Sequence, residues 1–163
     1  SVVTANNALP AARGTELSRL ARDRHVTLAF EASVAGGVPI LRAVRDQLSD
    51  VVVHCFTGSR DELRDYLDLD CHIGITGWIC DERRGTHMQH YLKDIPAERL
   101  LVETDAPYLK PRNLRPRVKT HRNEPCWLPW IVAAAAAARG EHPAYVAERT
   151  TENARRFFRI GKL

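Results

Sequence analysis

The chain has 163 residues, enough for one domain with a sizeable core, and 44% of them are hydrophobic, which excludes a disordered polymer. The formal charge is +4. No run approaches the roughly 18 apolar residues of a membrane span, and the opening SVVTANNALP has neither the basic start nor the apolar core of a signal peptide. Cys55, Cys71, Cys80 and Cys126 show no CxxC spacing, so no zinc knuckle is expected and a reduced, cytoplasmic setting is the default.

In chain order, a short strand at SVV precedes a helix from about Ala8 to Arg24, with Leu17, Leu20 and Ala21 on one face. VTLAFEA (26–32) reads as a strand, and Gly36 and Gly37 break the chain before a helix led by Pro39. VVVHCF (51–56) is the next strand. Ser59 and Glu62 have the spacing of a capping box that opens a helix to about Leu69. CHIGITG (71–77) is a strand, a helix spans about Thr86 to Leu92, and LLVET (100–104) is the last strand. Two or three helices close the chain, with Trp127–Arg139 the clearest. Alternating strands and helices imply an α/β fold of parallel βα units. Chemistry in such folds gathers at the carboxyl ends of the strands. Those ends here carry Glu31, His54, Thr76, Glu103 and Asp105.

Glu103 and Asp105 are spaced i, i+2, so strand alternation predicts that they lean to one face. Burying such charge is costly without a partner or a metal. The following segment, KPRNLRPRVKTHR (110–122), contains Lys110, Arg112, Arg115, Arg117, Lys119 and Arg122 and no acid, and its prolines forbid a regular helix. A solvated loop is one explanation and a phosphate-rich partner the other. Its place beside the acidic strand end favours phosphate binding through Arg112, Arg115, Arg117 and Lys119. Taken alone, a strand histidine such as His54 is more often a hydrogen-bonded core residue, and Asp105 before Ala-Pro can simply form an Asx-type turn. His72 reads as structural, His87 and His90 as a solvated face, and Trp127 and Trp130 as core. Arg83 and Arg84 could meet phosphates, although exposed arginine pairs are common.

VVVHCFTGS, IGITGWICDERRG, IPAERLLVETDAPYLKPR, RNEP followed by LP, and TTENARRFF together resemble the C-terminal half of the TatD family of metal-dependent deoxyribonucleases. The resemblance covers 51–163 and implies a partial TIM-type barrel, a half barrel flanked by helices, that hydrolyses DNA phosphodiesters. It implies that His54 and Asp105 bind a divalent metal, Mg²⁺ or else Mn²⁺ or Zn²⁺, and that Asp105 handles the proton of the attacking water. Glu103 would support Asp105 from behind. DNA, single strands included, would be the partner. The family's first-strand His-x-His pair, third-strand glutamate and fourth-strand histidine have no counterparts here, so impaired activity is expected. A homodimer would cover the open edges of a half barrel.

Residues 1–50 resemble homoserine dehydrogenase instead, through VVTANNALPAARGTEL and FEASVAGGVPILRAVRD, with Asn7 where that family has a functional lysine. The glycine-rich nucleotide-binding fingerprint of that family is missing, which argues against dehydrogenase activity. The chain thus reads as two segments joined near Asp50. Glu31 precedes His54 by the interval expected for a neighbouring-strand ligand, and is the candidate surrogate. The reading from a different class is a non-catalytic chimeric α/β piece.

Overall fold

In a computed structural model, residues 2–4, 28–31 and 50–161 are described, the first two stretches by their backbone alone. The helices expected over Ala8–Arg24 and after Pro39 lie outside these residues. The chain divides into two compact units, Ser1–Ile73 and Gly74–Leu163.

The first unit is built on parallel strands. β1 (Val2–Thr4) pairs with β2 (Leu28–Glu31), β2 with β3 (Val52–His54), and β3 with the start of β4 (His72–Ile75). Spatial order follows chain order, the mark of βα units wound in one direction. β3 is a continuous apolar run because Val51, Val52 and Val53 are all buried. It ends at His54, short of the expected Phe56, because Cys55 takes φ +50° and turns the backbone out of the ladder. Helix α1 (Arg60–Asp68) then starts at the expected capping box: the Glu62 N–H donates to Ser59 Oγ, and the Ser59 N–H to Glu62 Oε2 at 2.7 Å. Leu63 and Tyr66 are its buried face, and Phe56 meets the Tyr66 ring edge-on at 6.1 Å.

In the second unit, the end of β4 is followed in the sheet by β5 (Leu100–Val102). Helix α2 (Thr86–Tyr91) gives way to 3-10 turns at Leu92–Asp94 and Ala97–Arg99. Helix α3 (Leu128–Arg139) begins one residue later than the sequence suggests, after a 3-10 turn at Pro125–Trp127. It stops at Gly140, whose φ of +69° makes it a left-handed cap. Ile131, Val132, Ala135 and Ala136 are its buried stripe, and the small alanines allow close packing on helix α4 (Pro143–Phe157).

Two polar side chains tie these helices to the approach to β5. Asn153, fully buried on α4, donates to the carbonyls of Ala97 (2.7 Å) and Leu100 (2.8 Å), and accepts from Arg156 at 2.7 Å. Arg139, at the end of α3, donates to the carbonyls of Leu92 (2.9 Å) and Ile95 (2.7 Å) and pairs with Glu141. Such bonds satisfy loop carbonyls that burial would otherwise strand. The effect is to fix where β5 begins, and hence where its last residues emerge.

Candidate active site

In the first unit, His54 is the last residue of β3 and is half-buried. Its backbone stands opposite Glu31 in the β2–β3 register. The two residues therefore occupy equivalent backbone positions at adjacent strand ends.

In the second unit, the carboxylates follow β5 rather than belonging to it. The strand stops at Val102, and the Glu103 N–H donates one more ladder-like bond to the Ile75 carbonyl at 3.0 Å. Asp105 then adopts φ +56°, the left-handed region. Aspartate tolerates that region better than most residues, and such conformations concentrate at functional sites. Strand alternation consequently ends before Asp105, and the expectation that Glu103 and Asp105 share a pleated face does not hold. A turn, not a strand, aims Asp105.

The turn is held from several sides. Within it, the Tyr108 N–H donates to the Asp105 carbonyl at 2.8 Å, and the Ala106 N–H to Thr104 Oγ1 at 3.3 Å. Asn123 clamps it from outside: its Nδ2 donates to the Thr104 carbonyl at 2.6 Å and its backbone N–H to the Pro107 carbonyl at 2.9 Å. Asn123 is only 1% exposed, and its Oδ1 accepts from the Glu124 N–H at 2.9 Å. Two glycines complete the arrangement. A side chain at Gly74 would collide with the Glu103 carboxylate, and one at Gly77 with the Leu109 carbonyl. Glycine on β4 thus makes the room into which Glu103 leans.

The basic loop is more engaged than a solvated run would be. Arg112 forms a two-pronged pair with Glu82, with Nε donating to Oε2 at 2.8 Å and NH2 to Oε1, and Asp81 lies 3.8 Å from its Nε. The Arg112 hydrogen bonds hold the Glu82 carboxyl down at about 2, and the same contacts push the Arg112 guanidinium up. The Arg83 N–H, donating at 2.9 Å, is the main reason Asp81 is lowered. Lys110 Nζ donates to the carbonyls of Val118 and Thr120, and Arg115 to the Leu114 carbonyl at 2.8 Å. Arg117, Lys119 and Arg122 are exposed. Arg84 lies 5.7 Å from the centre of the Trp78 ring. His87 and His90 are exposed, while Trp127 and Trp130 are half-buried.

A sequence model described as TatD related DNase matches residues 31–159. The chain belongs to the TatD-related DNase family. The match begins upstream of Val51 and takes in Glu31 as well as His54 and Asp105. Among similar proteins, the 3'-5' ssDNA/RNA exonuclease TatD of Pectobacterium atrosepticum is 54% identical over 123 residues, covering 76% of this chain and 47% of the relative. That of Klebsiella pneumoniae is 51% identical over 121 residues, covering 74% and 46%. The chain spans about half the length of the curated relatives it matches. Crystal structures of a TatD homologue from Escherichia coli and of a TatD-family hydrolase from Entamoeba histolytica align with TM-scores of 0.77 and 0.74. Their identities are 19% and 20%; the alignments cover 99% and 94% of this chain, and 63% and 57% of those structures. This TatD-family chain therefore has the expected α/β architecture of parallel βα units flanked by helices, a TIM-barrel-like fold. Among the described residues no helix is long and apolar enough to cross a membrane.

Asn123, Asn153, Gly74 and Gly77 were not legible as site-building residues. All four lie in stretches that carry the family resemblance, RNEP, TTENARRFF and IGITGW. Nothing local distinguishes a clamp asparagine from a surface one.

Proposed function

We propose that this TatD-family chain is a nuclease half by descent, directed at phosphodiester bonds of single-stranded DNA or RNA. The observation that carries this reading is the family match over 31–159, which includes every candidate acidic or histidine ligand named above. The named relatives are 3'-5' exonucleases on single strands, and the same substrate class is assigned here.

His54 and Asp105, with Glu31 as the surrogate third donor, would hold a divalent ion. One imidazole and two carboxylates suit Mg²⁺ or Mn²⁺, and Zn²⁺ accepts them too. Among the described residues no three His, Cys, Asp or Glu side chains gather into a metal cluster. The Glu31 side chain lies outside those residues. A bound ion supplies a lowered water pKa and relief of phosphate charge. Asp105 takes the proton of the attacking water. A general base works only when held within hydrogen-bond reach, and the Asn123 clamp supports that role by holding the turn. Glu103, seated against Gly74, orients Asp105. Arg112, Arg115, Arg117 and Lys119 attract the phosphate backbone. Activity is weak, because Glu31 is a surrogate and the family's own third-strand glutamate and fourth-strand histidine have no counterparts here.

The test is shortening of a 5'-labelled single-stranded oligonucleotide in Mg²⁺ or Mn²⁺, with Asp105→Asn beside the natural chain. Slow shortening that disappears in the variant is expected. Equal cleavage by both refutes the mechanism.

The missing counterparts of the family's third-strand glutamate and fourth-strand histidine favour a second reading, a non-catalytic α/β chimera. In it, the segment before Asp50 serves as sheet scaffolding and two copies pair to cover open edges. Calorimetric titration with Mn²⁺ separates the two. Heat saturating in the millimolar range supports the nuclease, and none supports the scaffold.

A further inference from the structure

The basic loop walls a cavity of about 470 Å³ in the second unit. Lys110, Arg112, Arg115 and Arg117 line it, with Glu82 as the acid and Cys80 among its apolar walls. The Cys80 thiol, pushed up to about 12 by burial, adds no negative charge at neutral pH. The volume falls within the range of small-ligand clefts. Four basic side chains and one carboxylate in its lining make the cavity a candidate anion site, with Arg112 already paired to Glu82.

The geometry of that occupation is specific. Glu82 presents two oxygens to the Nε and NH2 edge of Arg112. A phosphate group uses the same guanidinium edge with two oxygens. Carboxylate and phosphate therefore compete for one face. Both side chains are substantially exposed, 41% for Arg112 and 63% for Glu82, and exposed pairs are weak enough to exchange. A phosphate entering the cavity would gain Arg115 and Arg117 as further partners. Asp81, which accepts from the Arg83 N–H, lies 3.8 Å from Arg112 Nε.

We propose that this cavity is a phosphodiester subsite for a single strand, gated by Glu82, whose carboxylate occupies Arg112 until a backbone phosphate displaces it. The proposal rests on the nucleic-acid reading above and adds to it a location and an exchange.

The test measures binding of a fluorescent oligothymidylate to the chain by anisotropy, in EDTA so that no cleavage occurs. Glu82→Gln frees Arg112 and should tighten binding about five-fold. It should also steepen the dependence of log K on log salt by about 0.7, one phosphate contact on a single strand. The double variant Glu82→Gln with Arg112→Gln should lose both gains. Glu98→Gln, another exposed glutamate, controls for net charge and should change little. The proposal is overturned if Glu98→Gln tightens binding as much, if the double variant binds as tightly as Glu82→Gln, or if Glu82→Gln binds no strand. Displacement of the strand by equimolar inorganic phosphate would also overturn it, assigning the cavity to the free ion. Tightening by Glu82→Gln without any cleavage in metal would sink the nuclease reading alone.

Discussion

Replacing Asn123 by alanine tests whether this residue, rather than the strand before it, holds Asp105 in place. The side chain is buried and makes two hydrogen bonds, one donated to the Thr104 carbonyl and one accepted from the Glu124 N–H. Alanine deletes both and strands a carbonyl beside Asp105. Losing a buried partner costs roughly 1–3 kcal/mol, so about 2 kcal/mol is expected, or about 30-fold in the opening constant of the turn. Native-state hydrogen exchange reads this locally. The Tyr108 amide, bonded to the Asp105 carbonyl, and the backbone amide of residue 123, bonded to the Pro107 carbonyl, should each exchange about 30-fold faster. Amides in the middle of α3, around Ala135, should not change. If the Tyr108 amide keeps its natural rate, the clamp is not what orders the turn, and the account of how Asp105 is aimed fails.

Asn153→Ala should act on the whole second unit, because it leaves the Ala97 and Leu100 carbonyls without their donors. A loss of about 2–4 kcal/mol is expected in urea denaturation, and a change below about 0.5 kcal/mol would contradict the role given to this residue. Glu82 offers a pH test. Its folded pKa is depressed to about 2 by Arg112, so its contribution is present above the ordinary value of about 4.5 and disappears as pH falls through about 2. Carboxyl chemical shifts should place the Glu82 midpoint near 2, and Arg112→Gln should return it to the ordinary carboxylate range; an ordinary midpoint in the natural chain would rule out the pair in solution.

Order and type of the described elements were legible in the sequence because they rest on local rules. The capping box at Ser59 and Glu62, the apolar run before His54 and the alanine-rich helix closed by Gly140 all formed where their own residues dictated. The boundaries of the strands were less legible. VVVHCF and LLVET look like strands to their ends, yet β3 stops at His54, where Cys55 takes a positive φ, and β5 stops at Val102, three residues before Asp105 does the same. Neither residue type demands that conformation, so only neighbouring structure selects it.

The sequence by itself settled the family resemblance, the place of His54 at the end of a strand, and the concentration of positive charge after residue 109. These follow from residue type and spacing. Tertiary structure decided how that chemistry is held. Asn123 reaches back 19 residues to Thr104, Arg112 reaches 30 to Glu82, and Asn153 reaches 53 to Leu100. A partner that distant has no periodic signature. Whether a polar side chain clamps a turn, neutralises a neighbour or faces water depends on which carbonyl or carboxylate the fold brings within hydrogen-bond reach.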